Sequence, residues 1–503
     1  ITANPTTPTM TTESGVWTLE QQLQYSSTWS PKIVGNSVRL RSSASANLTR
    51  TPAAAGNRKT WTLSAWYKVG ALTAQRSLLS MSSSAFFRHR STDALQFTND
   101  GTNTLDTAAL FRDPSAWYHI VLSVDTTQAT AANRVLIYVN GVSQSLTLTG
   151  SYIAQNTDTA FNNAAATNIG GFASNYLDGY LAEINFIDGQ ALTPSSFGAY
   201  DSTGVWQPLP YTGTYGNNGF YLTFADNSAA TAAALGKDSS GNGNNWTPNN
   251  ISLTSGVTYD WMLDSPTNFP NSTTGIGNYC VISPLSGDST ATVTNGNLRV
   301  ASGNASGNSR FGSIGISSGK WYWEHTVTTV GSNGQMTGVT TDNNQTTALT
   351  GVLGYYYNGD KYTGSTATAY GASFTTGDVI GIALDLDTGT LTFYKNNVSQ
   401  GLAFVGLSGT YFPLARAGFA SGTAPVMDMN FGQRPFTYTP PTGYKALNTQ
   451  NLPVATITNG ATVMAATTYT GTGASLTVSN GNNNTTGVTF KPDLVWIKSR
   501  SAA

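Results

Sequence analysis

A chain of 503 residues with a formal net charge of −1 is too long for one ordinary core, and it carries no long-range field to gather DNA, RNA or anionic lipid. Charged residues make up only 10%, against about a quarter in ordinary globular proteins, so a neutral, hydrogen-bonding surface of Ser, Thr, Asn, Gln and Gly is expected. The single cysteine, Cys280, excludes an internal disulfide and a cysteine-ligated metal cluster, and its expected place is a buried apolar site.

The opening, ITANPTTPTM, has neither the basic nor the apolar region of a signal peptide, and no apolar run of about 18 residues is present to span a membrane. Within residues 1–35, Thr18-Leu19-Glu20-Gln21 has capping-box spacing and predicts at most two helical turns in an otherwise extended arm. From residue 36 the pattern changes to short β-branched and aromatic runs bounded by Gly, Asn, Asp and Ser clusters. WTLSAWYKV starts at Trp61, HIVLSVD ends at Asp125, and VLIYVNGVSQSL covers 135–146. These belong to a first domain over 36–204. A β connector over 205–272 holds DSSGNGNNW (238–246) and is expected to pack on that domain. In 273–446 the series repeats: WYWEHTV from Trp321, VIGIALD ending at Asp385, and LTFYKNNVSQGL over 391–402. Asn140-Gly141 and Asn396-Asn397 are the expected tight hairpin turns, because Asn and Gly accept positive φ at little cost. Two domains with one strand order make the fold class all-β: tandem β-sandwich (jelly-roll) domains behind a short N-terminal arm. Residues 447–503, ending in FKPDLVWIKSRSAA, read as an incomplete further β domain whose first strand lacks a partner, so a longer gene product is expected.

The motifs carry two family resemblances. GKWYWE (319–324), YYYNGDKYTG (355–364), GDVIGIALDLDTGTLTFYKNN (377–397) and YFPLARAG (411–418) occur in the order seen in SPRY domains, and residues from about 275 to 445 resemble one. WTLSAWYKV, AWYHIVLSVD, VLIYVNG and YLDGYLAEINFIDGQALTP resemble a laminin-G-like, concanavalin-type jelly roll. Together with the opening SGVWTLEQQLQYSSTW, the pair looks like a structural protein of tailed bacteriophages. That resemblance implies a non-enzymatic virion component: a tail fibre, appendage or decoration protein on an extracellular particle. Its implied partners are other virion proteins, docked through the N-terminal arm, and a host-surface polysaccharide or receptor. A homo-oligomer, most often a trimer, is implied, with neither nucleic acid nor membrane insertion. The alternatives are a purely structural spacer or capsid ornament, and a capsule depolymerase.

The chemistry-bearing residues favour binding over catalysis. Asp385 and Asp387 lie off the Ile380, Ile382 and Leu384 face and are expected to shape a hairpin turn, on the solvent side or at its tip, with Gly389 in the left-handed conformation. A glucanase on this fold needs two carboxylates flanking the scissile bond. Glu183-Ile184-Asn185-Phe186-Ile187-Asp188 has the spacing but puts Asn at the central position, so a structural strand fits better. His89, His119 and His325 sit in separate strand-like runs without a nucleophile elbow. No cofactor is implied; calcium is the one ion the composition suggests, at Asp238, Ser240, Asn242 and Asn244, where no bidentate Glu follows. For recognition, planar amides and aromatic faces are the useful groups. Tyr356, Asp360 and Tyr362 are expected to be exposed in one loop, with Phe172, Asn175, Tyr176 and Asp178 forming a second. The tryptophans of WTLSAW and WYW are expected in the core.

Overall fold

In the computed structural model the β-branched and aromatic runs form strands, and the only helical pieces among the described residues are 3-10 turns of three residues. The structure describes residues 33–453 apart from 202, 268–274, 303–307, 333, 346–348 and 419–421, together with 456–457, 460–465, 474, 490–491 and 493–497. The expected helix at Thr18–Gln21 and the docking arm around it lie outside the described residues. In the closing segment, Phe490, Lys491 and residues 493–497 carry no strand. Residues 199–207 fall outside the larger compact unit. Their described part includes a turn in which Asp201 accepts the amides of Thr203 and Val205.

Both sandwiches lie in the larger unit. In the first, Thr60–Val69 runs antiparallel to Trp117–Asp125 on one side and to Gly179–Asp188 on the other. The hairpin Val135–Val139 and Val142–Ser143 extends the first flank, and Ser37–Leu40 extends the second. A second eight-stranded sheet faces it, and the inward residues of both, Trp61, Leu63, Phe87, Phe97, Ile137 and Phe186 among them, form one core. The connector completes this sandwich. Phe220–Leu222 pairs with Gly179–Asp188, Thr247–Asn249 with Asn47–Arg50, and Trp261–Met262 with Ser37–Leu40.

In the second sandwich, Lys320–Thr329 takes the central place, between Val379–Asp385 and Val426–Asn430. Thr390–Lys395 and Val398–Val405 extend one flank, and Arg299–Ala301 with Thr292–Thr294 the other. The order therefore repeats that of the first sandwich over six strands around each aromatic central strand, and differs at the outermost strand, Trp261–Met262 in one and Thr292–Thr294 in the other. The hairpin turns repeat too: φ is 48° at Asn140 and 80° at Gly141, 47° at Asn396 and 68° at Asn397. The facing sheet runs Asn308–Phe311, Phe412–Ala417, Gln335–Thr340, Val352–Tyr356, Asp360–Thr363, Thr366–Ala369. Trp61, Trp66, Trp321 and Trp323 are all buried.

A buried polar lock joins the two sandwiches. Along Thr60–Val69, strand alternation sends Trp61, Leu63, Ala65 and Tyr67 into the core and turns Lys68 to the outer face. There its Nζ, fully buried, meets Asp264 Oδ2 at 2.8 Å, Asn278 Oδ1 at 2.8 Å and the Tyr279 carbonyl at 3.0 Å. Trp117 Nε1 donates to the other Asp264 oxygen at 3.0 Å. Burial pushes the Asp264 carboxyl upward, opposed by Lys68 and the hydrogen bonds; the geometry is that of an ion pair in which both carboxylate oxygens accept hydrogen bonds. Nearby, Arg39 and Arg41 share Asp260, and the Tyr180 hydroxyl donates to the Gly296 carbonyl. The lock's third part is a concave run of backbone amides. Asn295, Gly296 and Asn297 all have left-handed φ, at 57°, 67° and 62°, and the amides of Asn295 and Gly296 converge on the Asp178 carboxylate at 3.0 and 2.5 Å. Successive amides in such a run form an anion-binding nest. Glycine is needed at 296, since a Cβ there would stand 2.7 Å from the Tyr180 ring.

Candidate functional site

The six-stranded sheet of the second sandwich has two unlike faces. Along Val352–Tyr356 the successive tyrosines 355 and 356 alternate between them, and Tyr357 follows just past the strand's end. Tyr355 turns inward, fully buried against Phe374 and Phe393. Tyr356 turns outward, and the register sets it beside Met336, which is in turn opposite Arg416. Tyr362 is opposite Gly354, where a Cβ would collide with the Met336 thioether, so the sheet is shallow at that point. The rings of Tyr356 and Tyr362 meet edge to face at 5.4 Å, and Tyr357 packs on Tyr356 at 4.7 Å. Beneath them a small cluster of Phe311, Met336, Val352 and Leu414 anchors the patch. Tyr356 and Tyr362 are half-buried rather than freely exposed as the sequence led us to expect. Asp360 is half-buried as well, its carboxylate accepting the Asn358 amide at 2.8 Å.

The electrostatics suit hydrogen-bond acceptors. Burial pushes the Tyr356 phenol to about 12, aided by Tyr357 and Tyr362, so it stays a neutral donor. Arg416 donates to Ser309 Oγ at 3.0 Å. Burial lowers its guanidinium pKa, and the nearby phenols and Asp288 pull it back up; the group remains a cation.

The other candidates are drawn into structure. Asp178 is fully buried and spends its carboxylate on the nest and on Ser42 Oγ at 3.1 Å, so it serves no surface loop. Of its loop, Phe172, Asn175 and Tyr176 are half-buried; the Asn175 carbonyl accepts the Ser77 amide, and the Tyr176 ring lies on Gly171. Asp238 accepts the amides of Tyr221, Ser240 and Asn244 and the Ser240 hydroxyl. Asn242 and Asn244 donate their side-chain amides to loop carbonyls. The oxygen set at Asp238 is thus directed at the protein's own donors, and no group of three or more His, Cys, Asp or Glu that could hold a metal occurs among the described residues. Glu183 sits on a bulge with φ of 51° and accepts the Tyr221 hydroxyl. Asp188 ties Asn57, Asn162 and Asn218 together. Asp385 caps the amides of Asp387 and Thr388 and pairs with Lys320; it is buried, not on the solvent side, whereas Asp387 is exposed. Gly389 has φ of 66°. Cys280 is fully buried, its thiol pushed up to about 11 by desolvation.

Sequence reasoning missed the buried histidine pairs. His119 Nε2 shares a hydrogen bond with Ser64 Oγ at 2.8 Å, and His89 lies between Tyr67 and Asp93 at 3.3 Å from each. Ser64 and His119 are each about 1% exposed, which seals the pair from any substrate. Burial holds His119 down at about 3, so the imidazole is neutral at pH 7. His119 alternates with the core residues Ile120 and Leu122 and so lies on the outer face, which is itself covered, whereas His89 shares the inward face of its strand with Phe87.

Comparison with known proteins gives two family matches. Residues 42–197 match the family described as concanavalin A-like lectin/glucanases superfamily, and residues 320–434 match the SPRY domain. Ran-binding protein 9 of Xenopus tropicalis is 34% identical over 127 residues, 24% of this chain and 23% of that protein. The human Ran-binding protein 9 is 38% identical over 88 residues, 17% and 12% of the two chains. The chain thus spans about a quarter or less of the length of these relatives. Among solved structures, the SPRY domain of human HERC1 is 24% identical, covering 30% of this chain and 99% of that one, with a TM-score of 0.25. Stonustoxin is 17% identical over 30% and 27%, with a TM-score of 0.26. These relatives overturn the expectation of a tailed-phage virion protein. With it go the fibre, spacer and depolymerase readings, the virion and host-glycan partners, the trimeric assembly, and the placement on an extracellular particle. Ran-binding protein 9 of Xenopus tropicalis, mouse and human is a vertebrate protein, and its similarity to this chain extends over 88 to 127 residues. The chain carries a laminin-G-like, concanavalin-type domain followed by a SPRY domain.

Proposed function

We propose that this chain is a non-enzymatic interaction scaffold that holds a protein partner against the outer face of its SPRY sheet. One observation carries the reading: Tyr356, Tyr357 and Tyr362 stand half-exposed on a buried apolar anchor beside Arg416. Rigid aromatic rings and an arginine are the groups that dominate protein interfaces, because they bury large area with few rotors to freeze. Phenol and guanidinium donors together favour a partner loop that brings backbone carbonyls or a carboxylate. The relatives' name records a protein ligand, and the class of ligand, rather than its identity, is what transfers. Against catalysis, the carboxylates and imidazoles weighed as catalytic groups are tied into hydrogen bonds within the fold.

A displayed library of random peptides panned against the full chain tests this. Selected binders are expected to lose about tenfold or more in affinity toward the Tyr356→Ala/Tyr362→Ala double variant, as truncating paired aromatic anchors does. Binders that hold both proteins equally, or no enrichment at all, refute it.

A further inference from the structure

The six-stranded SPRY sheet ends on Thr366–Ala369, TATA. Its pairing with Asp360–Thr363 is regular, without a register shift. Among the described residues it is the only edge strand of four residues in which every residue is exposed. An edge with no charge, proline or bulge is a template for another strand. The edge of the opposing sheet, Val398–Val405, is guarded by two register shifts. The hairpin closes through a two-residue turn, Gly364-Ser365, which makes Thr363 and Thr366 a hydrogen-bonded pair. Pairs then alternate, so the N–H and C=O groups of Ala367 and Ala369 point away from the sheet.

Side-chain chemistry narrows the occupant. On the outer face, Ala367 lies directly opposite Tyr362, and its methyl leaves the Tyr362 ring open to a large neighbour. On the other face, Lys361 spends its ammonium on the Ala403 carbonyl, and next to Ala403 in sequence stands Leu402, 54% exposed, with Val405 at 67%. The Asp360 carboxylate is taken up by Asn358, so neither charge of the hairpin asks for a counter-ion. Four edge residues bury far less than the roughly 1,200 Å² of a stable protein pair, which argues against a second copy of this chain.

We infer that Thr366–Ala369 receives an uncharged, apolar-rich extended segment of a partner protein as an added antiparallel strand, with alternate side chains resting on Tyr362 and toward Leu402. This rests on the interaction-scaffold reading above. The probe is an eight-residue peptide of alternating threonine and valine flanked by lysines, followed by fluorescence anisotropy on the full chain. Ala367→Pro removes one outward amide without touching a bond inside the sheet, and is expected to weaken binding about tenfold or more. Ala367→Lys/Ala369→Lys, which keeps the backbone and guards the edge by charge, is expected to do the same. The probe N-methylated on its pairing amides is expected not to bind. Binding unchanged in both edge variants, or absent in the parent protein, overturns the inference. Sensitivity to Tyr356→Ala/Tyr362→Ala with insensitivity to both edge variants overturns it while leaving the aromatic face intact. A concentration-dependent dimer abolished by Ala367→Pro overturns it in favour of a second copy.

Discussion

Replacing Asp178 by alanine tests whether the two sandwiches are held by the carboxylate–nest contact. The change leaves the amides of Asn295 and Gly296 without their acceptor in a site where Asn295 is 3% exposed. Each buried unsatisfied amide costs about 1–3 kcal/mol, so the loss is about 2–6 kcal/mol, a large part of the roughly 5–15 kcal/mol that holds a typical fold together. The left-handed run at Asn295–Asn297 also loses the anion around which it curls, and is expected to open locally. Asp178→Asn keeps the volume but offers only one acceptor oxygen, so about half the loss is expected. Urea unfolding followed by tryptophan fluorescence measures both, and limited proteolysis reads opening at Asn295–Asn297. A loss below about 1 kcal/mol for Asp178→Ala, with no new cleavage, would refute the reasoning.

Two further outcomes follow from the buried charges and imidazoles. Lys68→Met leaves Asp264 uncompensated and is expected to destabilise by about 3–5 kcal/mol in the same unfolding assay; adding Asp264→Leu is expected to restore only part, because Trp117 Nε1 and the Tyr279 amide then lose their acceptor. Burial holds His119 at about 3 and His325 at about 4, and lowers His89 too. Their folded values lie below the ordinary 6.5, so the unfolded chain binds more protons between about pH 6.5 and 4, and stability falls as pH drops through that window. His119 and His325 each contribute about 2 kcal/mol of loss between pH 8 and 5. Glu324 and Asp264, both raised by burial, act in the opposite direction, so the clean measurement is the pH 5 to 8 difference in His325→Gln, expected to shrink by about 2 kcal/mol; an unchanged difference contradicts the assignment.

Local periodicity made the strands around Trp61, Asp125, Trp321 and Asp385 legible, along with both hairpin turns, because each depends on neighbours a few residues away. Asp178 was misread because GGFASNYLDG looks like a polar surface loop, while its partners lie 117 and 118 residues further on. The Lys68–Asp264 pair carried no local signal at all, its members lying 196 residues apart. A charged residue near a strand end looks solvated in sequence whether or not a second domain covers it. The biological setting was read from the combination of modules, and physical chemistry constrains folds more tightly than the settings in which they are used.

The repeated strand order has a practical consequence for fragment work. Cutting the chain at the limits of the SPRY match, 320 and 434, would remove the Arg299–Ala301 strand that covers Val426–Asn430. It would also remove Asn308–Phe311 from the opposing sheet and the Lys445–Ala446 strand lying parallel to the central one. The truncated piece would show raw, sticky borders, and any self-association it displayed would be an artefact of the scissors. Extending the cut to Asp264 and Leu447 mends the sheets but strands an aspartate whose counter-charge was left on the discarded half. Homology limits and folding limits diverge in this chain, and recombinant pieces are best drawn to the latter.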